Sequence, residues 1–277
     1  MAKSMKFINN SGAEIVLGNA APYLLQKIDI KTGVEISNSK GVKQDGRTYL
    51  GNTLEEMDIS LQIAVIGEGK EDIENKKRLL QRAFNPKNDE GVLQYDNGIK
   101  AVESKCIVNE LPYFASQNIR MARCLISLTA HQPFWNELFQ ESEEMSYIMG
   151  GLRFNLALPA AFSSRGFKRK AINGGDVETP VEIEFKGPAV NPTVTNVTTG
   201  EFIRVKRELG EDDILTIYTG FGEKYVNING ENAFSYIDLE SSFWQMEPGE
   251  NILSYQSNND SIKTRVKVKW KNRYIGE

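Results

Sequence analysis

One stretch of this sequence decides the fold, and it runs Ile172-Asn173-Gly174-Gly175-Asp176-Val177-Glu178-Thr179-Pro180-Val181-Glu182-Ile183-Glu184-Phe185-Lys186-Gly187. Its Asn-Gly-Gly segment is typical of a turn, because these residues tolerate positive φ. After Pro180, apolar and polar residues alternate strictly, so that Val181, Ile183 and Phe185 share one face. The pattern predicts a half-buried strand that begins just after a turn.

The sequence after this stretch repeats short apolar segments separated by glycine, asparagine and proline. The candidate strands are residues 202–206, 214–218, 225–229, 243–246, 251–256 and 262–271. Strands at this spacing predict an antiparallel β-sandwich. We place the start of this unit near residue 140, with 152–158 as its first strand and Ser163–Lys170 as a basic loop.

The last candidate strand carries two contrasting faces. The apolar face contains Ile262, Thr264, Val266, Val268 and Trp270, and the basic face contains Lys263, Arg265, Lys267, Lys269 and Lys271. Two interpretations of the basic face stay open. It is either a binding patch for an acidic partner or a solvated surface whose lysines discourage pairing at a sheet edge.

The first 140 residues contain the one segment with a clear helical pattern, Glu71–Phe84. Its acidic residues precede its basic ones, as the helix dipole favours, and Asn85-Pro86 ends it. The predicted apolar face consists of Ile73, Leu80 and Phe84, widened by Leu79 and Ala83. Strands are predicted at residues 7–8, 15–17, 23–30, 57–65, 92–95, 99–111 and 119–130.

A polar, glycine-rich stretch from Lys31 to Asn52 separates two of these predicted strands. Its glycines are Gly33, Gly41, Gly46 and Gly51. The stretch is too long for a plain turn. It is either a mobile loop or a protruding hairpin arm, and the sequence favours neither.

Both cysteines fall on strands predicted to form a hairpin. A turn centred on Ala115 would place Cys106 opposite Cys124, because opposed residues of a hairpin have a constant sum of residue numbers. The pair is either a cross-strand disulfide or two small buried side chains. We expect free, buried thiols, because directly opposed cysteines bridge with strain and a cytosol is reducing.

Composition excludes several classes of protein. The 277 residues, 40% hydrophobic and 25% charged, are those of a globular protein with one or two cores. A net charge of −4 argues against nucleic-acid binding. Neither a transmembrane segment nor a signal peptide is recognisable, so we expect no membrane association and synthesis in a cytosol.

The sequence offers weak candidates for catalytic chemistry, and we expect none of them to act. The segment Gly67–Lys70 lacks the earlier glycine and the following Ser or Thr of a phosphate loop. His131 has no nucleophile placed by a motif, and neighbouring carboxylates such as Asp212-Asp213 and Glu143-Glu144 diverge on a strand. We therefore expect no enzyme activity and no catalytic, cofactor-binding or metal-binding residues.

Two aromatic residues, Trp244 and Tyr255, fall on neighbouring predicted strands. They form either a platform for stacking sugars or part of a sandwich core. We expect the core, because aromatic side chains of a sandwich are more often buried.

Short motifs in a fixed order run along nearly the whole chain. In the second half they are Asn173–Asp176, Glu178–Pro180, Gly187, Asn196–Glu201, Asn229-Gly230 and Pro248–Asn251. In the first half they are Leu79-Leu80, Phe84–Lys87, Gly91–Leu93, Tyr95, Pro112 and Pro133–Trp135. Each is weak alone, but in this order and spacing the sequence resembles the siphophage distal tail protein family, often called Dit.

The resemblance implies a mainly β protein of two domains. Residues 1–140 would form a β-sandwich or split-barrel-like domain with one helix and a hairpin arm, which builds a homo-hexameric ring. Residues 141–277 would form a galectin-like β-sandwich on the outside of that ring. The likeness to galectins is one of fold, and it carries no sugar-binding residues over to this chain.

The resemblance also implies a place and partners. The ring would be the hub of a phage or prophage tail tip, assembled in the host cytoplasm. It would contact the tail-tube protein and the tail-associated hub or lysin protein, with the tape-measure and receptor-binding proteins as further partners. A glycan-binding adhesion module acting through residues 141–277 is the alternative, and a hydrolase using unpaired carboxylates ranks lowest.

Overall fold

The computed structural model describes residues 4–146, 167–259 and 263–276. As predicted, the chain is mainly β, and one α-helix, α1 (Lys70–Ala83), lies within the described residues. Contacts divide the chain into two compact units. The first extends to Leu138 and includes Ile275 and Gly276, and the second comprises Phe139–Tyr274.

The first unit is built on one large antiparallel sheet. Its strands are β1 (Ser4–Ile8), β2 (Glu14–Leu17), β3 (Tyr23–Ser39), β4 (Thr48–Ile66), β5 (Gly91–Asp96), β6 (Ala101–Val108), β7 (Tyr113–Gln117), β8 (Met121–Ala130) and β9 (Trp135–Glu137). The strand order is β2-β1-β5-β6-β8-β4-β3, with β7 paired to β8 and β9 to β6. A bridge between Gly18 and Leu24 joins the two ends of this order, so the sheet curls towards a closed barrel.

Helix α1 packs against β2 and β4 of this curled sheet. Its Ile73, Leu80 and Ala83 are buried, and Phe84 stacks on Phe7 of β1 with ring centroids 4.4 Å apart. The predicted apolar face is confirmed at these positions. It is wrong at Leu79, which is 56% exposed because it lies at the flank of the helix, beside the buried face and not within it.

The second unit contains two larger sheets and a short strand pair. Its strands are β10 (Glu141–Ser146), β11 (Phe167–Asn173), β12 (Val181–Lys186), β13 (Ala189–Val190), β14 (Thr193–Asn196), β15 (Glu201–Arg204), β16 (Glu208–Leu209), β17 (Ile214–Tyr218), β18 (Tyr225–Ile228), β19 (Glu231–Asn232), β20 (Gly249–Gln256), β21 (Arg265–Trp270) and β22 (Arg273–Tyr274). One sheet has the order β10-β21-β12-β17-β18-β19 and the other β11-β20-β14-β15. Strands β13 and β16 pair separately, and residues Phe234–Tyr236 form a 3₁₀ turn.

The two larger sheets of this unit pack face to face. Phe185 of β12 and Tyr255 of β20 meet edge to face across the sheets, with ring centroids 6.2 Å apart. Val181, Ile183 and Phe185 are fully buried, which confirms the alternation predicted for this strand. Because β12 pairs with β17 on one side and β21 on the other, it anchors the six-stranded sheet.

The turn before β12 is fixed by buried polar contacts. The Asn173 side chain is buried; its oxygen accepts from the Gly175 backbone N–H at 2.9 Å, and its Nδ2 donates to the Met246 carbonyl at 3.0 Å. A side chain at Gly175 would collide with the backbone of Arg273, whose carbonyl oxygen would lie 2.4 Å from the added Cβ. The turn therefore needs glycine for close backbone approach.

Several strand predictions in this unit need correction. Residues 243–246 form no strand and contribute only an isolated bridge between Met246 and Thr179. The end of the predicted basic loop belongs to β11, and β14 was not predicted at all. The predicted strand 152–158, like Ile262, lies outside the described residues.

The predicted register of the two cysteines is wrong. Ile107 of β6 lies opposite Thr129 of β8. Strand β7 lies in the connection between these two strands, so the centre of the turn is shifted away from Ala115. Cys106 therefore lies opposite Gly91, and Cys124 lies opposite Ile63 and Phe114. Both thiols are free and buried.

We expect Ile183→Asp to destabilise the second unit by several kcal/mol, because it places an unpaired carboxylate in the core. The matched control is Glu184→Ala, which should change the free energy of unfolding by no more than about 0.5 kcal/mol, since Glu184 faces solvent. Urea unfolding of both variants measures the difference. A larger effect at Glu184 would contradict the assigned faces of β12.

We expect two thiols per chain on titration of the unfolded, unreduced protein, because both cysteines are free. In the folded protein both should react slowly with alkylating reagents at pH 8. Burial raises the pKa of Cys106 and of Cys124 to about 12, so the reactive thiolate is scarce. Fewer than one thiol in the unfolded chain would contradict this assignment.

Candidate assembly interface

The longest hairpin of the first unit extends beyond the sheet that supports it. Strand β8 pairs with β4 only from Met57 to Ile66. Before Met57, β4 pairs with β3 alone, from Val34 opposite Leu54 to Ser39 opposite Thr48. We call residues 34–54 the arm. Of the two interpretations of residues 31–52, a mobile loop or a protruding hairpin arm, the structure therefore supports the hairpin arm.

An irregularity in the pairing marks the base of the arm. Thr32 lies opposite Met57, but the next pair is Val34 with Leu54, so Glu55 and Glu56 face Gly33 alone. An extra residue of this kind bends a strand and increases its twist. The bulge therefore marks the position at which the arm departs from the regular pairing of the sheet.

The tip of the arm is an ordered turn. The backbone N–H of Gly41 donates to Gln44 Oε1 at 2.8 Å, and Gln44 Nε2 donates to Thr48 Oγ1 at 3.1 Å. Arg47 Nη1 donates to Asn38 Oδ1 at 2.8 Å across the ribbon. These bonds hold the connection between the strands in one conformation.

Large apolar side chains lie exposed along the arm. Val34 is 47% exposed, Ile36 58% and Val42 97%. Tyr49, Leu50 and Leu54 are exposed as well. An ordered ribbon that presents several apolar side chains to solvent is typical of a surface that a partner covers. In the sequence, the alternation of Val34-Glu35-Ile36-Ser37 is the signal that could have identified this face.

None of the residues weighed for catalysis forms a reactive arrangement. His131 lies at the surface, with Nδ1 3.5 Å from Glu56 Oε1, and among the described residues it makes no hydrogen bond to a hydroxyl or thiol. Next to Gly67–Lys70, Asp72 accepts from the Glu68 backbone N–H at 2.9 Å and from Lys76 at 2.6 Å. These bonds, that to Lys76 first, hold the pKa of Asp72 below its usual value, so a carboxylate already occupies this helix start.

The carboxylate pairs have structural partners instead. Asp213 accepts from the Gly210 backbone N–H at 2.7 Å and from Asn229 Nδ2 at 2.7 Å, which fixes a turn. Glu144 lies on β10, 3.9 Å from Arg265. Within the described ranges, no three His, Cys, Asp or Glu side chains are grouped to hold a metal ion.

The sugar-stacking interpretation of Trp244 and Tyr255 is wrong. Both side chains are buried in the core of the second unit, so neither ring presents a face to solvent.

Among the α-helices of the described residues, none is long and apolar enough to cross a membrane.

The basic face of β21 is largely neutralised by acidic neighbours. Lys269 Nζ lies 2.7 Å from Glu182 and 3.0 Å from Glu184, and these hydrogen bonds, that to Glu182 first, raise the pKa of Lys269. Lys263 pairs with Glu211 at 2.6 Å. Moreover, β21 lies between β10 and β12, so the lysines do not protect a sheet edge. The edge role predicted for these lysines is therefore wrong.

Comparison with known proteins identifies the family. A model described as the siphovirus-type tail component, C-terminal domain, matches residues 174–274, and one described as the phage tail protein RIFT-related domain matches residues 10–130. The chain belongs to the siphophage distal tail protein family. This family consists of structural components of the phage tail, which confirms the resemblance seen in the sequence and places the chain in the virion tail.

One solved structure shows the same fold. The crystal structure of the Dit protein of phage SPP1, described as a paradigm of the hub adsorption apparatus in phages that infect Gram-positive bacteria, superposes with a TM-score of 0.71. The two chains are 10% identical, and the match covers 97% of this chain and 98% of that one. A chain of the activated phage P2 baseplate has a TM-score of 0.49 at 13% identity, covering 97% and 98%. No curated protein sequence matches significantly.

We expect Val34→Ser combined with Ile36→Ser to change the free energy of unfolding of the dissociated protein by less than about 1 kcal/mol, because both side chains lie outside the core. The matched control is Ile59→Ala, on the buried part of the same hairpin, which should cost about 2–5 kcal/mol. Chemical denaturation at low protein concentration measures both. A cost at the arm equal to that at Ile59 would show that the arm packs on its own chain.

Proposed function

We propose that this protein forms a hexameric hub ring at the tail tip of a siphophage or prophage, between the tail tube and the host-recognition apparatus. The observation that carries this proposal is the arm, an ordered ribbon whose exposed apolar side chains lie beyond the supporting sheet. Membership of a family of structural tail components supports the same function.

The arm suits a contact between copies of the chain. An arm reaching a different surface of the next subunit makes a heterologous contact, and such contacts form a closed ring when the rotation between subunits fits. Burying apolar surface stabilises the contact by about 25 cal/mol per Å². Val34, Ile36 and Leu54 supply such surface without weakening the core of the monomer.

The two parts of the chain have separate roles in this proposal. Residues 1–140 contain the arm and form the ring, and residues 141–277 form a galectin-like sandwich that ring closure does not require. The core of the second unit supports this division, because it draws on both larger sheets of that unit. A unit of about 140 residues is large enough to fold on its own.

The partners follow from this place in the tail. We propose contacts with the tail-tube protein and the tail-associated hub or lysin protein, and further contacts with the tape-measure and receptor-binding proteins. The role is structural and not enzymatic, and assembly takes place in the cytoplasm of the bacterial host. The extended surface of the arm suits such contacts between proteins.

Negative-stain imaging and light scattering of the purified protein test the ring. We expect a sixfold ring for the full chain. Replacing residues 35–53 by a two-residue Asn-Gly turn should leave a folded monomer, because Val34 and Leu54 are already paired across the ribbon. A fragment of residues 141–277 should be folded and monomeric.

Three outcomes would contradict the proposal. A full chain that stays monomeric at high concentration would show that the protein forms no ring by itself. A ring that survives removal of residues 35–53, or hexamers of the 141–277 fragment, would place assembly in another part of the chain. Circular dichroism on each variant verifies that the remaining strands are folded.

A further inference from the structure

The two ends of the arm carry opposite charge. The tip, residues 40–47, contains Lys40, Lys43 and Arg47 against the single carboxylate of Asp45. At the base, the bulge opens a groove lined by Lys31, Thr32, Gly33, Glu35, Leu54, Glu55, Glu56 and Asp58. This groove has four carboxylates against one lysine. The arm therefore has a basic tip and a mainly acidic base.

The charged groups of the tip are available for a partner. Lys40 and Lys43 are exposed, and within the described part of the chain neither side chain has a hydrogen bond or an ion pair. Arg47 donates only to a neutral group, Asn38. Val42, at the centre of the tip, is 97% exposed. The tip thus presents one apolar side chain surrounded by cations.

The groove offers the complementary surface. Leu54 contributes an apolar wall, and Glu35 and Glu55 are exposed with no cationic partner among the described residues. Asp58 is already engaged, since it accepts from Thr129 Oγ1 at 2.7 Å, and Glu56 lies beside His131. Glu35 and Glu55 are therefore the carboxylates that an incoming cation would meet.

A chain cannot join its own tip to its own groove. The paired strands between Gly33 and Lys40 hold the two ends apart, and seven residues of strand span about 23 Å. Bringing the ends together would break the hydrogen bonds of the ribbon. The tip and the groove of one chain therefore cannot meet each other.

We propose that the arm tip of one copy docks in the groove at the arm base of the next copy, with Val42 against Leu54 and with Lys40 and Lys43 facing Glu35 and Glu55. The partner is thus a second copy of this chain. Each copy supplies one tip and one groove, which gives the head-to-tail contact that a ring needs. This inference rests on the proposed ring and specifies the surface that receives the arm.

Charge reversal in the full-length protein tests the pairing. We expect Lys40→Glu with Lys43→Glu to raise the concentration at which half of the rings dissociate by at least about tenfold, because like charges then face each other. Glu35→Lys with Glu55→Lys should do the same. Combining all four changes should restore that concentration to within about threefold of wild type, since each pair regains opposite charges.

A matched control separates this contact from a general effect of net charge. Lys70→Glu with Lys87→Glu alters two exposed lysines of the same unit away from the arm, and it should leave ring dissociation unchanged. Analytical ultracentrifugation across a concentration series measures all variants. Melting curves of the dissociated proteins should be unchanged, because every substituted side chain is exposed.

The outcomes distinguish this pairing from the proposed ring itself. Rings that neither arm reversal weakens, or two weakened variants whose combination gives no recovery, overturn the pairing and leave the ring intact. Equal weakening by the Lys70 and Lys87 control also overturns it. A wild-type protein that stays monomeric at every concentration overturns both proposals.

Discussion

The architecture of the first unit depends on how the two edges of β4 are used. From Met57 to Ile66, β4 is hydrogen-bonded on one side to β3 and on the other to β8, and its apolar face is buried. Before Met57 only the pairing with β3 continues, so both outer edges of the ribbon lack partners in the large sheet. One strand therefore links a rigid core to a projecting arm, and unpaired edges of this kind favour association with another chain. The same hairpin thus contributes buried strand to the core and an exposed ribbon to the surface.

The second unit depends on a different constraint, the close approach of backbones at the turn before β12. Asn173 and Gly175 fix this turn, and the strand that follows lies between β17 and β21 in the larger sheet. Aromatic and aliphatic side chains from both larger sheets then fill one core. On the outer face, the carboxylates of Glu182 and Glu184 offset the charge of Lys269, so the basic side chains of β21 stand beside acidic neighbours. Trp244 and Tyr255 contribute to the packing of this core and do not form a binding platform.

The described residues weighed for catalysis form no reactive arrangement. The carboxylates and the histidine considered for catalysis lie in turns or at exposed positions, and the cysteines are buried and protonated. The distinctive property of the chain is instead a ribbon with apolar side chains along its length and opposite charges at its two ends. A paired ribbon that exposes several apolar side chains is typical of a surface that a partner covers. Membership of a tail protein family agrees with this physical picture.

The sequence by itself determined the mainly β class, the half-buried strand at Val181–Lys186 and helix α1, because each rests on local periodicity or turn chemistry. Motif order also identified the family. Only the tertiary structure decided whether residues 31–52 form an arm, where β21 lies in its sheet and which residues face Cys106. These three features depend on which strands are neighbours and on the register between them. Local alternation of apolar and polar residues leaves both undetermined, because the same pattern suits an edge strand or a central one. Strand β7 is the clearest example. Its five residues have little apolar–polar alternation of their own, yet their position between β6 and β8 changed the pairing of Cys106 and Cys124.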